Sequence, residues 1–97
     1  MSFNEECYNV LKRVPKGKVT TYKAIAHSLG SKAYRAVGKA MNSNPYSPKV
    51  PCHRVIGSDG SLVGFASGLK KKEEMLRKEG IVIENGNIDL NKYEYKL

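Results

Sequence analysis

Phe3, Cys7, Val10, Leu11 and Val14 recur at the i, i+4, i+7, i+8 and i+11 spacing of one helix face. Residues 2 to 13 are therefore expected to form an amphipathic helix, stopped by Pro15 and Gly17. A short β-like stretch, Lys18 to Thr20, follows, and Thr20 or Thr21 can cap the next helix. Tyr22, Ile25, Ala26 and Leu29 form a second helical stripe that Gly30 ends. A third begins at once with Ala33, Ala36, Val37, Ala40 and Met41, and leaves Lys32, Arg35, Gly38 and Lys39 mostly off the apolar side. Two short helices joined by a glycine-containing turn have the sequence form of a helix-turn-helix; a helical hairpin with a solvated basic face gives the same pattern.

The segment from Asn44 to Pro51 carries Pro45, Pro48 and Pro51, so it is expected to be a stiff arm. It delivers Cys52-His53-Arg54-Val55-Ile56, read as an extended stretch ending in a strand before Gly57. Leu69 to Glu79, with Gly80 as its stop, is the next helix. At about 100° per residue Lys72 and Glu79 fall inside the arc of Leu69, Met75 and Leu76. Charges in an apolar arc need partners. Finally, Ile81 to Leu90 reads as a hairpin turning on Asn85-Gly86 in type I′ geometry. The expected fold is mainly α with short β segments: a winged-helix-like helix-turn-helix with a C-terminal hairpin, all in a single domain over residues 1–97.

Charge changes the picture. The chain has 97 residues with 17 Lys+Arg against 9 Asp+Glu, a net +8. Ten of the bases and no carboxylate lie between Glu6 and Asp59, while seven bases meet seven acids from Asp59 onward. Ordinary soluble surfaces mix both signs, so the expected partner is a polyanion, nucleic acid first. Lys12, Lys16, Lys18, Lys32 and Lys39 are phosphate candidates. The longest aliphatic run is Ile81-Val82-Ile83, and the first ten residues lack signal-peptide regions, so an intracellular soluble protein is expected. Cys7 and Cys52 stand 45 positions apart without further ligand pairs, which supports neither a zinc ribbon nor a disulfide scaffold; no metal or cofactor is expected.

Cys7 lies in the first helix's apolar stripe and reads as a small buried hydrophobe. Cys52 differs in its setting, with Pro51 before it, His53 and Arg54 after it, and cations throughout the segment. A positive field favours thiolate over a thiol whose ordinary pKa is about 8.5, so Cys52 reads either as a nucleophile or as a buried structural thiol. In an extended stretch Cys52 and His53 point to opposite faces, and contact between them would need a bridging water or a local kink. Glu79 is the carboxylate best placed to orient His53.

The segment PCHRVIGSDGSLVGF resembles the active-site block of the alkylguanine-DNA alkyltransferases, also called methylated-DNA-protein-cysteine methyltransferases. KGKVTTY, YRAVGKAMNSNP and SGLKKKEEMLRKEG are similar to the rest of that family's DNA-binding catalytic domain, over roughly residues 3 to 80. The resemblance implies that the helix-turn-helix enters the minor groove of duplex DNA. Arg35 fills the gap left by an extruded base, with Lys32, Gly38, Lys39 and Arg54 at the DNA surface. It also implies that Cys52 takes the alkyl group from the guanine 6-oxygen in one irreversible displacement. His53 and Glu79 act through a bridging water, and Asn44 belongs to the same hydrogen-bond network. Tyr22, Phe65, Ala66 and Lys72 surround the substrate. Phe65 stands where the family usually has tyrosine, and Ala66-Ser67-Gly68 where two glycines are common. The family's amino-terminal ribonuclease-H-like domain is expected to be absent, and the protein to act as a cytoplasmic monomer, nucleoid-associated in a prokaryote. The length and tail also resemble the alkyltransferase-like proteins, which bind alkylated DNA without repairing it and carry tryptophan at the position of Cys52. A helix-turn-helix regulator with an unreactive thiol is a third reading, but it leaves the inward Glu79 without a role.

Overall fold

The computed structural model describes residues 2–46, 49–63 and 68–97. Helix α1, Phe3–Leu11, starts where the Ser2 hydroxyl accepts the Glu5 amide at 3.2 Å, and it buries Cys7, Tyr8, Val10 and Leu11. Strand β1 is Thr20–Thr21, and Thr21 then caps α2, Tyr22–Ser28, by accepting the Ala24 amide at 3.0 Å. Gly30, at φ 69°, turns the chain toward α3, Tyr34–Asn42, which buries Val37, Ala40 and Met41 against α1 and α2. The two helices expected from the stripes are thus α2 and α3, joined by the turn at Gly30.

β1 pairs in parallel with β2, Val55–Ile56, in the register Thr20↔Val55 and Thr21↔Ile56. Alternation along β2 sends Val55 into one hydrophobic cluster, with Cys7, Leu11, Ile25, Val37 and Cys52, and Ile56 into the other, with Val19, Leu76, Ile81 and Ile88. The small two-stranded sheet is therefore the wall between two cores, and the residues just before β2 sit where the cores meet. Helix α4, Leu69–Lys78, packs beside the segment that precedes β2.

The tail departs from expectation. Asn85 and Gly86 have φ of 52° and 75°, as a type I′ turn requires, and Glu84 bridges Asn87. The hairpin goes no further, because its second arm pairs with the loop after β2: Ser61 bridges Asn87, and the Ile88 amide donates to the Gly60 carbonyl at 2.8 Å. Gly60 is required there. Its φ is 89°, and a Cβ would lie 2.5 Å from the Ile88 carbonyl oxygen. Leu90, expected at the end of the hairpin, instead opens a short helix, α5, Leu90–Tyr93, capped by Asp89. Val19 then bridges Glu94, tying the tail to the edge of the small sheet.

Candidate active site and nucleic-acid interface

The segment expected to be extended through Cys52 and His53 is a 3-10 turn, Cys52–Arg54, closed by the Arg54 amide donating to the Pro51 carbonyl at 2.9 Å. Successive side chains on such a turn are about 120° apart, so Cys52 and His53 do not point to opposite faces. Both are buried, at 6% and 3% exposure. The turn is positioned from upstream by Asn44. The Val50 carbonyl accepts both the Cys52 amide, at 2.8 Å, and Asn44 Nδ2, also at 2.8 Å, while Asn44 Oδ1 accepts the Tyr46 amide. The Asn44 side chain, just past the end of α3, therefore fixes the carbonyl that holds the cysteine.

Glu79, at the C-terminal cap of α4, reaches the same turn. Its Oε2 lies 2.7 Å from His53 Nε2, and Arg54 spans both carboxylate oxygens from Nε and Nη2 at 2.8–3.2 Å. The Gly17 amide adds a third donor at 3.3 Å. Burial would raise the Glu79 pKa, but the hydrogen bonds from Arg54, His53 and Gly17 outweigh it and hold the carboxyl at about 2. A carboxylate held ionised can only accept, so His53 must present N–H at Nε2. Burial is also the main influence on His53. It lowers the pKa despite the attraction of Glu79, which keeps the ring neutral and leaves a lone pair on Nδ1. Nδ1 is buried and has no protein hydrogen-bond partner among the described residues. The combination is a neutral imidazole with a fixed tautomer and an available base nitrogen, one residue from a buried thiol.

Lys72 is fully buried and donates from Nζ to the carbonyls of Val55 and Val63, the latter at 2.7 Å. Burial lowers its pKa to about 8. The Val63 carbonyl also accepts the Tyr22 hydroxyl at 3.2 Å, and Lys72 Nζ lies 5.9 Å from the centre of the Tyr22 ring. Burial, reinforced by the nearby Cys52, raises the Tyr22 phenol to about 12, so it remains a proton-bearing donor. Phe65 and Ala66 lie outside the described residues.

The inward charges anticipated on α4 thus have partners. On α3 the cations Arg35 and Lys39 are exposed, as is Lys32 before it. Lys12 and Lys16 are also exposed, whereas Lys18 is half-buried and donates to the Lys92 carbonyl at 3.3 Å. Arg54, expected at the DNA surface, is part-buried. Its guanidinium is committed to Glu79 and, through Nη1 at 2.9 Å, to the Val14 carbonyl. Reading bases as a surface population missed this; the signal was an inward Glu79 that needed a cation as well as His53. Tyr22, Tyr34, Arg35, Gly38, Asn42 and Val63 line a concavity of about 300 Å³ beside α3.

These features can be set beside known proteins. The sequence model of the family described as "6-O-methylguanine DNA methyltransferase, DNA binding domain" matches residues 2–81. A methylated-DNA–protein-cysteine methyltransferase of Methanosarcina acetivorans is 52% identical over 79 residues, which is 80% of this chain and 51% of the relative. The chain spans about half the length of the curated relatives it matches first. Schizosaccharomyces pombe Atl1, solved in complex with damaged DNA containing O6-carboxymethylguanine, superposes with a TM-score of 0.88 at 31% identity, covering 98% of this chain and 95% of that one. Mycobacterium tuberculosis OGT in complex with DNA gives 0.78 at 39% identity, covering 81% and 50%.

Proposed function

Because the chain belongs to the 6-O-methylguanine-DNA methyltransferase family, we propose that it repairs duplex DNA by extruding 6-O-alkylguanine and accepting the alkyl group once, on Cys52. One observation carries this reading: a cysteine occupies the turn that His53, Arg54 and Glu79 organise. In this scheme α3 enters the minor groove with Arg35 in the gap left by the base, and Lys32 and Lys39 contact phosphates. Extrusion costs a few kcal/mol, less for a damaged pair. The inserted arginine and contacts in the site offset it.

The Cys52 thiol proton passes through a water to His53 Nδ1, whose other nitrogen stays bound to Glu79. Sγ attacks the alkyl carbon, the bond from that carbon to the guanine 6-oxygen breaks, and its electron pair remains on the base. The proton lost by sulfur balances the one guanine regains, and the Tyr22 hydroxyl, exchanging the Val63 carbonyl for the guanine ring, is the donor at that edge. The product is a thioether, which is stable to hydrolysis in neutral water, so each molecule reacts once. The protein acts as a monomer in the cytoplasm, at the nucleoid in a prokaryotic cell.

The near-complete coverage of Atl1 supports a second reading, in which the chain marks alkylguanine for excision repair without chemistry. Intact mass after incubation with a methylguanine duplex separates the two. Repair gives a gain of one methyl that is lost in Cys52→Ser. Tight lesion binding at unchanged mass establishes the second reading.

A further inference from the structure

Tyr34 has no part in the scheme above, yet it stands at its centre. It opens α3 immediately before Arg35 and is 38% exposed, while α3 meets the core through Val37, Ala40 and Met41. Tyr34, Gly38 and Asn42 follow one another at intervals of four residues, so they share a helix face. That face lines the concavity to which α2 contributes Tyr22. The Tyr34 ring also lies against His27, with centroids 6.2 Å apart and planes tilted by 54°, a contact that restricts its orientation.

Gly38 points the same way. A Cβ built on it meets nothing within 4 Å, so the fold does not demand glycine there. Glycine inside a helix is nevertheless costly relative to alanine. The space beside the Tyr34 ring is thus kept open toward the outside, within the basic surface.

We infer that Tyr34 is a base-contacting residue, its ring stacking on the nucleobase extruded into the concavity beside Arg35, ahead of the Cys52 site. This rests on the proposed extrusion but not on the chemistry at sulfur. An aromatic face suits any base, so Tyr34 would favour extrusion itself and leave discrimination of the alkyl group to the inner site.

The test uses a duplex with the fluorescent adenine analogue 2-aminopurine stacked next to a mismatched position, where extrusion of its neighbour brightens it while the analogue itself stays in the duplex, clear of Tyr34. With Tyr34→Ala the equilibrium for extrusion is expected to fall about 5- to 150-fold, the range of one base–aromatic stack, and with Tyr34→Phe by no more than about twofold. Affinity for an undamaged duplex should change little, since no charge is removed. Thermal melting checks that Tyr34→Ala folds, and Tyr34→Leu, which keeps bulk without an aromatic face, should behave like Tyr34→Ala. The inference is overturned if Tyr34→Ala extrudes as well as wild type, if Tyr34→Leu or undamaged-duplex affinity shows the loss to be one of bulk or general binding, or if Tyr34→Phe fails equally. A wild type that leaves the analogue dark overturns the extrusion premise itself, whereas a bright wild type with an equally bright Tyr34→Ala overturns the role of Tyr34 alone.

Discussion

Helices α3 and α4 are nearly the same length, nine and ten residues, and both are rich in cations, yet they use charge in opposite ways. On α3 the apolar stripe is continuous, and Arg35 and Lys39 point away from it into solvent. On α4 the stripe is interrupted. Lys72 turns inward to two backbone carbonyls, and Glu79 at the cap meets His53 and Arg54. The phase of a charge against the apolar arc, more than its sign or number, decides whether it is available to a partner or committed to internal geometry. Outward charge is held in water and can be exchanged for phosphate. Inward charge is desolvated, so its partners are structural and its removal is expensive.

The largest expected effect is therefore on the inward side. Glu79→Ala leaves the buried His53 and the half-buried Arg54 without their acceptor and should destabilise the protein by about 3–5 kcal/mol, read from denaturant unfolding. Glu79→Gln keeps the shape but removes the charge that fixes the His53 tautomer, and methyl transfer should slow by at least about tenfold, a fraction of what general-base catalysis contributes. The pH dependence has a definite sign. A carboxyl whose pKa falls from 4.5 to about 2 on folding adds stability that is present above 4.5 and disappears as pH drops toward 2. The Gln variant should lose that part of the acid transition, and an unchanged acid limb would remove Glu79 from the account.

Next comes Arg35→Ala on the outward side, expected to reduce extrusion and transfer more than affinity for undamaged duplex, measured in parallel by fluorescence and titration. Equal losses would make Arg35 one more phosphate contact. Gly38→Ala should move two quantities in opposite directions, raising stability by about 0.5–1 kcal/mol while weakening DNA binding. A variant that binds as well as wild type would show that nothing approaches α3 closely. The smallest effect belongs to Lys39→Ala, which should lower the log–log salt slope of binding by about 0.9, the share of one phosphate.

Much of the fold was legible because it rests on local pattern. The stripes give α1 to α4 to within a few residues, Asn85-Gly86 gives the turn, and the misplaced charges of α4 point to a partnered site. Three features were not legible, each for a physical reason. The 3-10 turn at Cys52 was hidden by Pro51 and the β-branched Val55-Ile56, which favour extended backbone locally, whereas the turn is held by the distant Asn44 through the Val50 carbonyl. Arg54 looked like a member of the basic surface because its acceptor is 25 positions away. The pairing of Ile88 with Gly60 depends on a close backbone approach that no periodicity encodes.

In the proposed reaction the thiol delivered by the buried turn takes the alkyl group, and its two products can be counted together. After one incubation of wild-type protein with excess methylguanine duplex, peptide mass mapping should place a single methyl on the peptide containing Cys52. Cys7 should remain unmodified, and an equal amount of oligonucleotide should return to unmodified guanine. A protein that holds the lesion tightly while both masses stay unchanged, or a methyl found on Cys7, would contradict the account.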